Sequence, residues 1–438
     1  LRALKNRFWP TARSFGVGLD KHSPALDGVR GLAVLLVLMY DCLKLENDGF
    51  LPTLLVRKAA SMGWIGVDLF FVLSGFLITG ILLETCGRSG YWKSFLARRA
   101  VRIFPLYYAT LIGTFFVVPW ILWMCGQWRA DHPVAIVHAD QWYYWTYLQN
   151  WLFAVRGEWP AERVLNHFWS LAVEEQFYLV WPCVVALLSR RQLGRLCVAL
   201  CVTALALRCW LLTHDYAGVS TYVMTITRMD SLCLGALLAI GLRDGNWFPR
   251  LARWLPLATG VLLLGVLGLD AVWPVLKSQA FGSYTIGHTL VGLVFAGLIG
   301  TLATRAPSHL LTTLFSFDGL RLLGKYSYAI YVFHRFAYAL VQSFDLSTLP
   351  EQWHGWAIFA ATLVVSLVFA KISWIVLEQP FLRLKRYAPR PDEVEQNVKA
   401  NAGSSETEHL IAQLTAAVPH ADSATLANTE GQSVTIEA

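Results

Sequence analysis

The chain has 438 residues, 56% of them hydrophobic and only 15% charged, against roughly a quarter charged in soluble domains, which excludes an ordinary soluble protein. A net charge of +7 would suit nucleic acid, but the basic residues are not gathered into one patch. Segments 1–24, 84–105, 189–195, 243–254, 304–325 and 379–438 hold 24 Lys and Arg, whereas the alternating 46–63, 125–165, 214–226, 274–284 and 346–354 hold 6. That asymmetry is the positive-inside pattern of a multi-pass membrane protein with both termini in the cytoplasm, and it leaves no expectation of a nucleic-acid partner.

Residues 1–24 read as a basic cytoplasmic arm, with Phe8 and Trp9 as anchors on the inner leaflet. Ten stretches then have the length a bilayer needs, about 17–25 residues each: 29–45, 64–83, 106–125, 166–188, 196–213, 227–243, 255–273, 285–303, 325–345 and 355–377. The expected fold is all-α, a polytopic transmembrane helix bundle over residues 25–386. The remainder, 387–438, is rich in Pro, Asp, Glu, Ala, Ser and Thr and is expected to be a disordered cytoplasmic tail, apart from a short helix near His409–Ala417. Six of the eight cysteines, Cys42, Cys183, Cys197, Cys201, Cys209 and Cys233, fall in apolar stretches without metal-type or disulfide-framework spacing. No metal site is expected.

The first span carries Asp27, Arg30 and Asp41, and charges are costly there unless they face a polar interior. Eleven residues separate Arg30 from Asp41, which returns both to one helix face roughly 16 Å apart along the axis. One end would lie near a membrane surface and the other near mid-bilayer. Lys44, one turn beyond Asp41, is a candidate ion partner for it.

Arg88, Lys93, Arg98, Arg99 and Arg102 form the richest basic cluster. Guanidinium forks match phosphate oxygens in pairs, although a topology signal alone would also be basic. The loop 125–165 is dense in rings, among them Trp142, Tyr143, Tyr144, Trp145, Tyr147, Trp151 and Trp159. Such rings suit a membrane interface and also stack on sugar faces.

Glu174 and Glu175 stand side by side in the fourth span, Glu174 sharing a face with Tyr178. At least one should pair with a cation, Arg30 and Arg228 being the candidates. Arg228 and Asp230 are two apart and cannot pair along a helix, so each needs a partner on another helix, as structural glue. Near the end, Tyr328, Tyr331 and Arg335 make one stripe, with Ser327 and His334 on another. His334 reads as a packing histidine or as a substitute base.

Several of these stretches carry a resemblance. Asp27-Gly28-Val29-Arg30-Gly31-Leu32-Ala33, Gly66-Val67-Asp68-Leu69-Phe70-Phe71 through Ser74-Gly75-Phe76-Leu77, Arg99 to Arg102 with Pro105-Leu106-Tyr107-Tyr108, Phe168-Trp169-Ser170 through Glu174-Glu175-Gln176-Phe177-Tyr178, Gly324-Lys325-Tyr326-Ser327 with His334, and Glu378-Gln379-Pro380-Phe381 occur in this order. Over residues 22–386 the chain resembles the acyltransferase-3 family of integral membrane enzymes. The resemblance implies transfer of an acyl group, most commonly acetyl, from acyl-coenzyme A to a hydroxyl of a carbohydrate or glycolipid acceptor in the bacterial inner membrane. It implies acetyl-CoA or another acyl-CoA as co-substrate, with Arg98, Arg99, Arg102, Asp27 and Ser74 beside it. The chemistry is expected at Asp41, Arg30, Glu174, Glu175 and His334.

The family pattern is an arginine, ten residues, then a histidine acting as base; here Arg30 is followed by ten residues and Asp41. A base works best with a pKa near the working pH, which histidine supplies unaided. Two alternatives stay open, that Asp41 does the base work or that the chain is catalytically impaired. A proton-coupled transporter would also carry buried acids, an arginine and a histidine in ten spans, but no inverted repeat is visible.

Overall fold

The computed structural model describes residues 23–46, 50–88, 90–127, 129, 137–160, 164–244, 248–306, 308–345 and 349–387. The basic arm up to residue 22 and the tail from 388, with its expected short helix, lie outside the described residues. Ten long helices follow in order: α1 Pro24–Cys42, α2 Ile65–Thr85, α3 Tyr91–Met124, α4 Phe168–Leu187, α5 Arg190–Thr213, α6 Gly218–Gly241, α7 Leu255–Val272, α8 Ser283–Thr304, α9 Asp318–Gln342 and α10 Glu351–Arg383. Each overlaps one expected span, and the described residues contain no strand. Eight of the ten are long and apolar enough to cross a membrane, and α1 and α9 are not among them. The protein is an all-α, polytopic integral membrane protein.

Local chemistry sets several helix ends. Pro24 opens α1 with Asp27 in its first turn, where a fixed φ and a negative charge both suit a helix N-terminus. Ser189 and Gln192 cap α5 reciprocally. The clearest departure from expectation is α3, which starts at Tyr91 rather than 106, so Lys93, Arg98, Arg99 and Arg102 are helical residues and not loop residues.

Two close helix crossings hold the centre. A Cβ added to Gly31 or Gly324 would overlap the backbone of Leu320 or Asp27, so only glycine lets α1 and α9 approach this closely, and one added to Gly28 would overlap the backbone of Phe315, just ahead of α9. Gly75 and Gly235 do the same for α2 and α6. All of these but Gly235 sit inside stretches that looked functional from sequence, and their role is packing.

The bundle is also tied by buried charge. Arg228 on α6 donates to Asp68 on α2 at 2.6 Å, and Arg208 on α5 donates to Asp230 on α6 at 2.7 Å, all four being fully buried. Arg208 also donates to the Thr289 hydroxyl (2.6 Å), the Thr285 carbonyl (3.0 Å) and the Thr227 carbonyl. Arg228 and Asp230 therefore do find partners on other helices, as their spacing required.

Candidate functional site

Asp41 is the penultimate residue of α1. Its Oδ1 accepts from Arg335 Nη2 at 2.7 Å, and its Oδ2 accepts from Arg335 Nε at 3.2 Å and His334 Nε2 at 2.9 Å. The expected pairing with Lys44 is not made: Lys44 Nζ donates to the Tyr40 carbonyl at 2.7 Å and lies over the Tyr40 ring. Arg335 and His334 reach Asp41 from adjacent positions on α9, whose close approach to α1 the glycines permit.

His334 is fully buried, and its Nδ1 lies 2.7 Å from the Tyr331 carbonyl. Both ring nitrogens of His334 thus already stand within hydrogen-bond distance of an oxygen acceptor, the Tyr331 carbonyl and the Asp41 carboxylate. The His167 ring packs against that of His334 at 4.7 Å between centroids. The Tyr331 hydroxyl donates to the His167 carbonyl at 3.0 Å and meets the Ser170 hydroxyl at 2.6 Å.

A cavity of about 720 Å³ opens beside this group. Asp41, Arg335, Tyr331, His167, Asn166 and His288 are among its lining residues, together with Trp159, Trp169 and Tyr222. Arg30 does not line it, so this cavity reaches one of the two α1 positions expected to share it. Tyr331, which lines the cavity, has both Asp41 and Glu174 as charged neighbours.

At the other end of α1, Arg30 donates to Asp27 at 2.6 Å and has Arg99 and Arg102 of α3 as charged neighbours. Glu174 hydrogen-bonds with Ser74 and Tyr178, whose hydroxyls are 2.5 Å apart. The Arg99 guanidinium lies 5.4 Å from the Tyr178 ring centre and 5.8 Å from that of Phe95. Arg99 is a charged neighbour of both glutamates, with Arg30 a further one of Glu174. Arg228, the other expected partner, is instead committed to Asp68 and surrounded by the rings of Phe71, Trp169 and Tyr222. Glu175 Oε1 is buried without a hydrogen-bond partner. The structure thus gathers Asp27, Arg30, Ser74, Arg99, Arg102 and the two glutamates at one end of α1, and Asp41 with His334 at the other. Arg98 contributes to none of these contacts.

The aromatic loop divides its rings. Tyr144 and Tyr147 are buried, Tyr147 stacking on Tyr107 at 4.2 Å, whereas Trp142 is exposed and Trp159 faces the cavity. Burial, with Tyr328 alongside, holds the Tyr147 phenol far above its ordinary pKa, so it remains a neutral packing ring. A bidentate pair, Arg156 to Asp140 at 2.5 and 2.9 Å, braces the loop.

Sequence reasoning singled out neither Asp68, except inside a motif, nor His167 and His288. The available signal was a histidine at the edge of each apolar stretch.

Residues 23–371 match the family described as "Acyltransferase domain". Among relatives, the peptidoglycan O-acetyltransferase OatA of Listeria monocytogenes is 30% identical over 376 residues, covering 82% of this chain and 56% of that protein. A provisionally named O-acetyltransferase of Staphylococcus aureus strain MSSA476 is 27% identical over 395 residues, covering 86% of this chain and 61% of the relative. A provisionally named peptidoglycan O-acetyltransferase of Bacillus subtilis is 29% identical over 380 residues, covering 82% and 55%. The chain therefore spans less than two thirds of the length of these curated relatives. No solved structure matches it.

Proposed function

The chain belongs to this acyltransferase family, and from that premise we propose that it transfers an acyl group, acetyl in the first instance, from acyl-CoA to a hydroxyl of a cell-envelope carbohydrate in the bacterial cell membrane. The observation that carries the reading is the polarity of α1. At one end Arg30 meets Arg99 and Arg102, side chains suited to the phosphates of a coenzyme A donor entering from the cytoplasm. At the other, Asp41 borders a cavity with room for part of a sugar and with Trp159 and Trp169 in its walls.

In this reading Asp27 and Ser74 flank the donor, Glu174 and Glu175 balance the guanidinium groups, and the thioester extends toward Asp41. Both Asp41 oxygens already accept from the Arg335 guanidinium. Asp41 therefore acts as a positioning residue that fixes Arg335 at the cavity wall and holds His334 behind it. The names of the relatives support a peptidoglycan-type acceptor. A catalytically silent relative is the second reading, favoured by the aspartate at position 41; it would hold acetyl-CoA without turning it over.

The test uses purified protein in nanodiscs with [14C]acetyl-CoA and soluble peptidoglycan fragments or oligosaccharides. Base-labile label on the acceptor, with one free coenzyme A thiol released per acetyl group, is the expected result. Binding of acetyl-CoA without labelling any acceptor would establish the silent reading instead.

A further inference from the structure

His288 carries the strongest unassigned chemistry in the cavity. It begins the regular part of α8, directly after a π-helical turn at Ser283–Gly287, a distortion that redirects side chains and is frequent at functional sites. Arg208 fixes that turn through the Thr285 carbonyl. His288 Nδ1 lies 3.3 Å from Asp68 Oδ2, so Nδ1 donates to the carboxylate and Nε2 holds the lone pair. Asp68 is itself held by Arg228 at 2.6 Å and the Ser231 hydroxyl at 2.8 Å. Trp64 packs edge-on to the ring at 4.9 Å.

His288 is 1% exposed, lines the cavity, and its Nε2 has no hydrogen-bond partner. Two other cavity-lining side chains share that condition. His167 uses Nε2 on the Val332 carbonyl at 3.3 Å and leaves Nδ1 unpartnered; Asn166 leaves Oδ1 unpartnered. All three orphan atoms are acceptors. An unsatisfied buried polar atom is costly, and the molecule that satisfies three such acceptors at once is one that donates several O–H groups.

The three acceptors are not equivalent. An imidazole backed by a carboxylate is the arrangement that takes a proton from a hydroxyl, because the carboxylate fixes the tautomer and stabilises the imidazolium. His167 is backed by a neutral carbonyl. His334 has an oxygen acceptor beside each ring nitrogen, and both Asp41 oxygens accept from the Arg335 guanidinium.

We propose that His288, oriented by Asp68, is the residue that accepts the proton of the acceptor hydroxyl in this chain, and that Asn166 and His167 receive neighbouring hydroxyls of the same polyhydroxylated acceptor. The proposal rests on the acyl-transfer reading above. The hydroxyl oxygen bonds to the thioester carbonyl carbon while its proton passes to His288 Nε2. The carbon–sulfur bond then breaks, and the thiolate takes that proton to leave as the free thiol of coenzyme A. His288 returns to its starting form. Asp68 is a positioning residue in this step.

The experiment compares the wild type, His288→Gln and the double variant Asp41→His/His288→Gln in nanodiscs, with acetyl-CoA and a carbohydrate acceptor. His288→Gln is expected to lower kcat by about 100-fold or more, the range general-base removal gives, with acetyl-CoA affinity and elution volume unchanged. Because residue 41 lines the same cavity, a histidine there is expected to recover at least tenfold of the lost rate. A His288→Gln rate within about threefold of wild type overturns the proposal while leaving acyl transfer intact. A loss in His288→Gln accompanied by an equal loss of acetyl-CoA affinity or a shifted elution volume marks a structural histidine and also overturns it. No transfer by the wild type removes the acyl-transfer reading itself. One measurement needs no variant: 15N-histidine spectra of the wild type should show an Nδ1–H tautomer whose Nε2 signal moves on adding acceptor. Response from Nε2–H tautomers alone would contradict the assignment.

Discussion

Arg208 and Asp230 show what buried charge does here at the level of single residues. Each is fully buried and bonded to the other at 2.7 Å, so removing one leaves the other without compensation, at a cost of about 3–5 kcal/mol. Arg208→Met is expected to destabilise the detergent-solubilised protein by that amount in SDS or thermal unfolding. Arg208→Met/Asp230→Leu should recover at least half of it. A single-variant effect under about 1 kcal/mol would show that the pair is not holding the bundle. The need for such partners was legible from sequence, because residues 228 and 230 cannot face each other on a helix. The identity of the partners was not, since Asp68 and Arg208 lie far away in sequence and nothing in a span's own pattern names the helix that packs on it. The same limit explains Lys44, which has helical spacing to Asp41 but loses it to Arg335, a residue fixed by tertiary approach.

The crossing of α1 and α9 decides where the candidate site lies, because it brings His334 and Arg335 onto Asp41. Gly31 faces the backbone of Leu320, and Gly324 that of Asp27; a side chain at either must push the helices apart. Gly31→Leu is expected to abolish monodisperse protein on gel filtration or, where some folds, to remove acyl transfer by moving position 41. Wild-type elution and activity in that variant would mean the crossing has slack. From sequence the surrounding stretch read as a functional motif, and its glycines gave no separate sign of packing. Helix existence was legible for all ten elements because long apolar runs mark them. The start of α3 was not, because the basic residues ahead of its apolar run hid about four helical turns.

Across the whole molecule, the alternating excess of Lys and Arg gave the membrane class and the bundle before any contact was known. The charged seam inside the bundle is a property of the assembled helices. Arg30 and Asp27 of α1, Arg99 and Arg102 of α3 and the glutamates of α4 meet at one end, while α1, α8 and α9 supply Asp41, His288 and Arg335 around the other. The central claim is that a coenzyme A thioester spans from the first group toward the second. A cryo-EM structure of the protein in nanodiscs with a non-hydrolysable acetyl-CoA analogue tests it most directly. The account predicts phosphate density against Arg30, Arg99 and Arg102 and the acyl end beside Tyr331, directed at the cavity of Asp41 and His288. Density for the analogue at any other surface, with those guanidinium groups still paired only to protein acids, would contradict it.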